Sequence, residues 1–154
     1  MELSPYERTL AIAEENGVKF FQQRLTENIP AIALRKGGKM GVFIDESAFE
    51  TEVERRYAVV HEMAHCEVGS FYNESTPETE CRKIDNRTQT HTIMRLVPFE
   101  MYEDAIINGC LDEHEQAEKW DIPQKYVYLV HHVYENTRSS DVQRLRKMAL
   151  SDYA

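Results

Sequence analysis

Cysteine is scarce in this 154-residue chain, and the three present, Cys66, Cys81 and Cys110, show no paired spacing. An odd, unpaired set fits reduced thiols buried as small hydrophobes better than a disulfide framework. Cations are also short, with 18 Lys plus Arg against 27 Asp plus Glu and a formal net charge of -9. A surface of that sign repels polyphosphate unless its cations segregate, so specific nucleic-acid binding is not expected. Missing too is any uninterrupted apolar stretch in the opening MELSPYERTLAIAEENG. That argues against a signal peptide or membrane anchor and for a cytoplasmic protein. Repeats and low-complexity tracts are absent. What is left is the material of one ordinary domain, since 42% hydrophobic residues suffice to close a single core.

Local patterns divide the chain into a few elements. An amphipathic first helix around Leu10, Ala13 and Glu14 should stop at Asn16-Gly17. The stretch PAIALRKGGKMGVFID alternates Ile32 with Leu34 and Val42 with Ile44 on either side of Gly37-Gly38, which predicts a β-hairpin over 31–44. From Glu52 onward Val53, Tyr57, Val60 and Ala64 recur at helical spacing, and Gly69 should end that helix. Ser75-Thr76-Pro77-Glu78 reads as a second helix start with Thr76 as cap and Pro77 in the first turn, and this helix should stop before Pro98. A short helix near 100–107, a break at Gly109 and two helices split by Asp121-Ile122-Pro123 complete the domain. The expectation is an α+β fold, mostly helical, with a small sheet beside the helix of residues 57–66. Residues 1–135 form the domain and residues 136–154 an amphipathic tail helix, docked on it or on another copy, with Val142, Leu145 and Met148 three apart.

Within YAVVHEMAHC, residues 57–66, His61, Glu62 and His65 have the spacing H-E-x-x-H. On a helix, positions i and i+4 share a face, so both imidazoles can aim a nitrogen at one metal ion about 2.0–2.1 Å away. Glu62 is rotated off the pair but can reach a water beside the ion. Zinc acidifies a water it binds to a pKa of about 7, and a neighbouring carboxylate can take the proton during attack on a peptide carbonyl. Two surface histidines on a helix are the plainer reading. Against it stands the apolar stripe of Tyr57, Val60 and Ala64, which puts the imidazoles at the core edge, where they need partners.

A catalytic zinc site needs a third protein ligand. The next helix, CRKIDNRTQTHTIMRLVP, carries one polar stripe, Asp85, Thr88, Gln89 and Thr92, which either faces solvent or faces something other than a purely apolar core. An antiparallel return would bring Asp85, 20 residues after His65, opposite the histidine pair. His91 is the alternative donor. The two are separated by about 120° on an ideal helix, so they do not share one ion. Asp85 is the better choice, because its charge offsets part of that of zinc.

These residues carry a resemblance. His61-Glu62-Met63-Ala64-His65-Cys66, Gly69, Phe71-Tyr72 and the Leu96-Val97-Pro98 stop resemble the ImmA/IrrE metallopeptidase-like proteins, many of them encoded by phages and integrative elements. The likeness runs over roughly residues 10 to 135. It implies a zincin-like domain, with Asp85 standing where that family has a ligand Glu. Three departures accompany it: the carboxylate is one methylene shorter, Thr88 and Thr92 replace small alanines, and His91 replaces an aromatic residue. Tyr72 invites an oxyanion-stabilising role, since a phenol near the site can donate to a developing oxyanion, although a core or interface tyrosine is the plainer reading.

The segment Glu113 to Tyr134 imitates a helix-turn-helix, yet Glu113, Glu115, Glu118 and Asp121 stand against Lys125 alone, so it is expected to be structural. Two functions follow. One is a zinc endopeptidase of narrow specificity, whose substrate the resemblance implies to be a helix-turn-helix repressor or similar regulator, paired as an added strand along the hairpin. The other is a metal-binding regulatory or interaction module that cleaves little.

Overall fold

The computed structural model describes residues 2–26 and 28–151, and among them the fold is α+β, with seven α-helices and one three-stranded sheet. Ser4 accepts from the Glu7 amide and Pro5 fills the first turn, so helix α1 (Pro5–Glu15) begins where its free N–H groups find a partner. Strands β2 (Ala31–Lys36) and β3 (Lys39–Ile44) form the expected antiparallel hairpin, turning through Gly37 and Gly38, both at positive φ. A strand the pattern did not announce, β1 (Lys19–Gln22), pairs parallel with β3, giving the order β1-β3-β2 and leaving β2 at an edge. It is four residues long and exposed throughout, so no in-out alternation marked it.

Helix α2 (Glu52–Val68) starts at Thr51, whose hydroxyl accepts from the Glu54 amide, and ends at Gly69 in the left-handed region, φ 67°. It lies across the inner face of the sheet. Helix α3 (Glu78–Leu96) packs against it. Here the expected cap differs. Thr76 turns its hydroxyl back to the Asn73 amide, and Pro77 occupies the cap position without a side-chain bond. Pro98 stops α3 as expected, and α4 (Phe99–Ile107), α5 (Glu113–Trp120), α6 (Val127–Thr137) and α7 (Ser139–Ser151) follow. Asp121 ends α5 at φ 54°, the single positive φ outside glycine among the described residues, and its carboxylate takes a two-pronged bond from Arg56 of α2.

Two cores result. One joins Val42 and Ile44 of the sheet to Ala13, Val59, Met63 and Cys66. The other joins Tyr57 and Val60 to Ile93, Trp120, Val130 and Tyr134, and it includes Val142 and Leu145 of α7. The tail helix therefore docks on its own chain; residues 152–154 of the predicted tail lie outside the described residues. No helix among the described residues is long and apolar enough to cross a membrane.

Candidate metal centre

His61, Glu62 and His65 gather so that one ligand atom from each lies within 4.8 Å of the others. The two imidazoles stand edge to face, 5.0 Å between centroids, as the i, i+4 spacing on α2 requires. Burial holds His61 unprotonated, pushing its pKa down to about 4, and the neighbouring His65 adds to this while Asp85 and Gln89 pull the other way. A neutral ring keeps a lone pair for a cation.

The orientation of His65 comes from the turn that ends α2. The left-handed Gly69 folds the chain back, so the Ser70 amide donates to the His65 carbonyl at 3.0 Å and the Ser70 carbonyl accepts from His65 Nδ1 at 2.7 Å. Nδ1 is thereby the protonated nitrogen, and Nε2 is left as the free donor atom. Behind the ring, Thr88 donates its hydroxyl proton to the Ile84 carbonyl, so Ser70 Oγ must be the donor in its 2.8 Å bond to Thr88 Oγ1. Thr92 likewise donates to the Thr88 carbonyl at 2.8 Å and turns its oxygen to His61 Nδ1 at 3.5 Å. Thr88 and Thr92 are wholly buried, and Tyr57 holds the Gln89 amide oxygen at 2.8 Å. The polar stripe of α3 thus faces the histidine helix rather than solvent.

Asp85 comes close enough for its charge to act on His61, Glu62 and Tyr72, yet it stands outside the gathered trio. Tyr72 is not a core residue: it is exposed and lines a cavity of about 290 Å³ with Glu62 and His65. His91 is directed elsewhere. Its Nε2 meets Glu67 at 2.7 Å, and Arg95 holds the same carboxylate from 3.0 Å.

Burial pushes Glu62 up to about 7, with Asp85 adding to the rise and the backbone N–H of Ala33 on edge strand β2 offsetting part of it. A second cavity of about 450 Å³ opens on the other side of Glu62 and reaches Tyr126. His61, Glu62 and His65 can therefore hold a metal ion in a cleft that runs along β2. Ser70 was missed in the sequence; the one available signal was its place directly after the helix-ending glycine. Comparison with protein-family models, with curated proteins and with solved structures found no match.

Proposed function

We propose that the chain is a zinc-dependent endopeptidase of narrow specificity, working in the cytoplasm on a protein substrate. The observation that carries this reading is the convergence of His61, Glu62 and His65 beside an open strand edge, with His65 Nε2 freed by the Ser70 carbonyl. The donor set fits zinc, a borderline ion that takes imidazole nitrogen and carboxylate oxygen. His61 and His65 would hold it, and Asp85 would complete the set. When bound, zinc supplies Lewis acidity for the scissile carbonyl and for the attacking water. Glu62 takes the proton of that water and hands it to the leaving amine, as a carboxylate beside the histidine pair can. Tyr72, on the wall of the neighbouring cavity, donates to the developing oxyanion. The open edge of β2 receives the substrate as an extended strand. The resemblance in sequence points to a helix-turn-helix repressor as that substrate. Specific nucleic-acid binding by this chain itself is not part of the reading, since α5 and its cap carry Glu113, Glu115, Glu118 and Asp121.

Glu62→Gln tests it. The amide cannot accept the proton, so the variant is expected to keep one equivalent of zinc by metal analysis while losing cleavage of a co-expressed repressor. Undiminished cleavage removes Glu62 as the base. A second reading, a metal-binding regulatory module that cleaves little, is favoured by one observation, the position of Asp85 outside the gathered trio. Zinc bound without any cleavage by the parent protein would select it.

A further inference from the structure

The cavity of about 450 Å³ beside Glu62 is larger than proton transfer or metal binding requires. Its volume falls within the range of about 300–1,000 Å³ found for small-molecule sites. Its depth comes from small residues. Ala58 stands one turn before Glu62 on α2, so it lies on the same face and leaves the space next to the carboxylate open. Ala31 of β2 and Ala48 in the 3₁₀ turn 46–48 leave the opposite side open. The walls are rings: Phe49 follows Ala48, and Tyr126 stacks on Tyr57 with centroids 3.9 Å apart and planes within 9°. Tyr126 arrives from the segment between α5 and α6, held by the packing of Ile122 and Val127 in the helical core.

We infer that this cavity is the specificity pocket of the cleft and takes a bulky apolar or aromatic side chain from a peptide paired with β2. The inference rests on the reading of the cleft as a peptide site. Ala33 lines the neighbouring cavity together with Glu62, and Ala31, two residues along, lines this one. A strand advances about 3.3 Å per residue, so a peptide aligned on β2 with its scissile bond at Glu62 has a side chain about two residues away at the pocket mouth. Charge does not select the occupant, because Glu54 and Lys125 both line the pocket and the Lys125 ammonium lies over the Tyr126 ring, 5.2 Å from its centroid. Ring and aliphatic contact does, through the apolar area removed from water.

The probe is acetyl-Ala-Ala-Phe-Ala-Ala-amide, with versions carrying Ala, Leu or Glu in place of Phe, titrated up to millimolar concentration into full-length Glu62→Gln protein and followed by chemical shifts. The Phe and Leu peptides should bind roughly 10-fold or more tightly than the Ala and Glu peptides, with shifts at Ala58 and Tyr126. Adding Ala58→Phe should erase that preference with zinc content and thermal midpoint unchanged. Ala48→Trp, at an exposed position on the opposite wall, should do the same if the helix variant fails to fold. Equal binding of all four peptides, no binding of any, or a preference that survives the filled pocket overturns the inference. The two readings separate in the parent protein. Preference without cleavage of any substrate leaves the pocket standing and removes the peptidase, whereas cleavage with no preference for a bulky apolar side chain does the reverse.

Discussion

Of the two nitrogens on His65, only Nε2 is available, and the choice is made by a carbonyl on the following turn. Thr88 steadies that carbonyl's residue through the Ser70 hydroxyl, although it touches neither histidine nitrogen itself. Thr88→Val keeps the shape and removes the acceptor, leaving the Ser70 hydroxyl without its buried partner. Zinc affinity, measured by chelator competition, is expected to drop by about 10- to 100-fold, with the secondary structure retained. An unchanged affinity would show that the backbone turn alone fixes the ring. The carboxylates and imidazoles of α3 divide in the same way. Asp85→Ala is expected to weaken zinc sharply, because a charged donor facing His61 and Glu62 is lost. His91→Ala should leave affinity as it is, because that ring is bound to Glu67. The reverse pattern in the same competition assay would make His91 the ligand.

Among the elements, α2 does two jobs with one terminus. The glycine that ends it also aims the Ser70 carbonyl at His65, so Gly69→Ala should damage stability and metal binding together. A Cβ at Gly69 meets nothing within 4 Å, and the cost is therefore one of backbone conformation alone. For an L-residue in the left-handed region that cost is about 1–2 kcal/mol. In a chain of this size each kcal/mol lowers the thermal midpoint by about 2–4 °C. Calorimetry of the metal-free variant would check the first effect, and a midpoint equal to the parent's would refute it. The start of α2 was legible in the helical spacing that opens at Val53, and its end because Gly69 acts on a neighbour a few residues away. The hairpin was legible for the same reason. The burial of the α3 stripe was not, because Thr88 and Thr92 satisfy their hydroxyls on their own helix carbonyls and so can enter the interior. Nothing local distinguishes such a threonine from a solvated one. Thr76 misled in the opposite sense, with a capping residue type spent on the preceding turn.

Across the whole molecule, the long-range partners were the part the sequence could not reveal. Ser70 meets Thr88, and Arg56 meets Asp121, across separations that no periodicity encodes. His131 is a further case. Gln116 donates its amide to the Cys110 carbonyl at 2.8 Å, so its oxygen accepts from His131 Nε2 at 2.9 Å, and the ring packs edge-on against Tyr102 and Trp120. Burial lowers the pKa of His131, so the folded chain prefers the neutral ring, whereas the unfolded chain takes up a proton near the ordinary value of about 6.5. Stability should then be lost as pH falls from about 6.5 toward the lowered folded value. In chelator-treated protein, the thermal midpoint of the parent should fall further between about pH 7 and about pH 5 than that of His131→Gln. Equal slopes would mean that His131 does not report its burial.

Both cores end on α2. Tyr57 and Val60 belong to the helical one, while Val59, Met63 and Cys66 belong to the one under the sheet. The histidines ride on the seam, and neither core can loosen without shifting the helix that carries them. A random-mutagenesis screen scored on lost function would for that reason not trace the outline of the cleft. Substitutions at Val142 or Trp120, which line no part of it, would be recovered beside those at His61, and only their effect on protein abundance would tell the two groups apart.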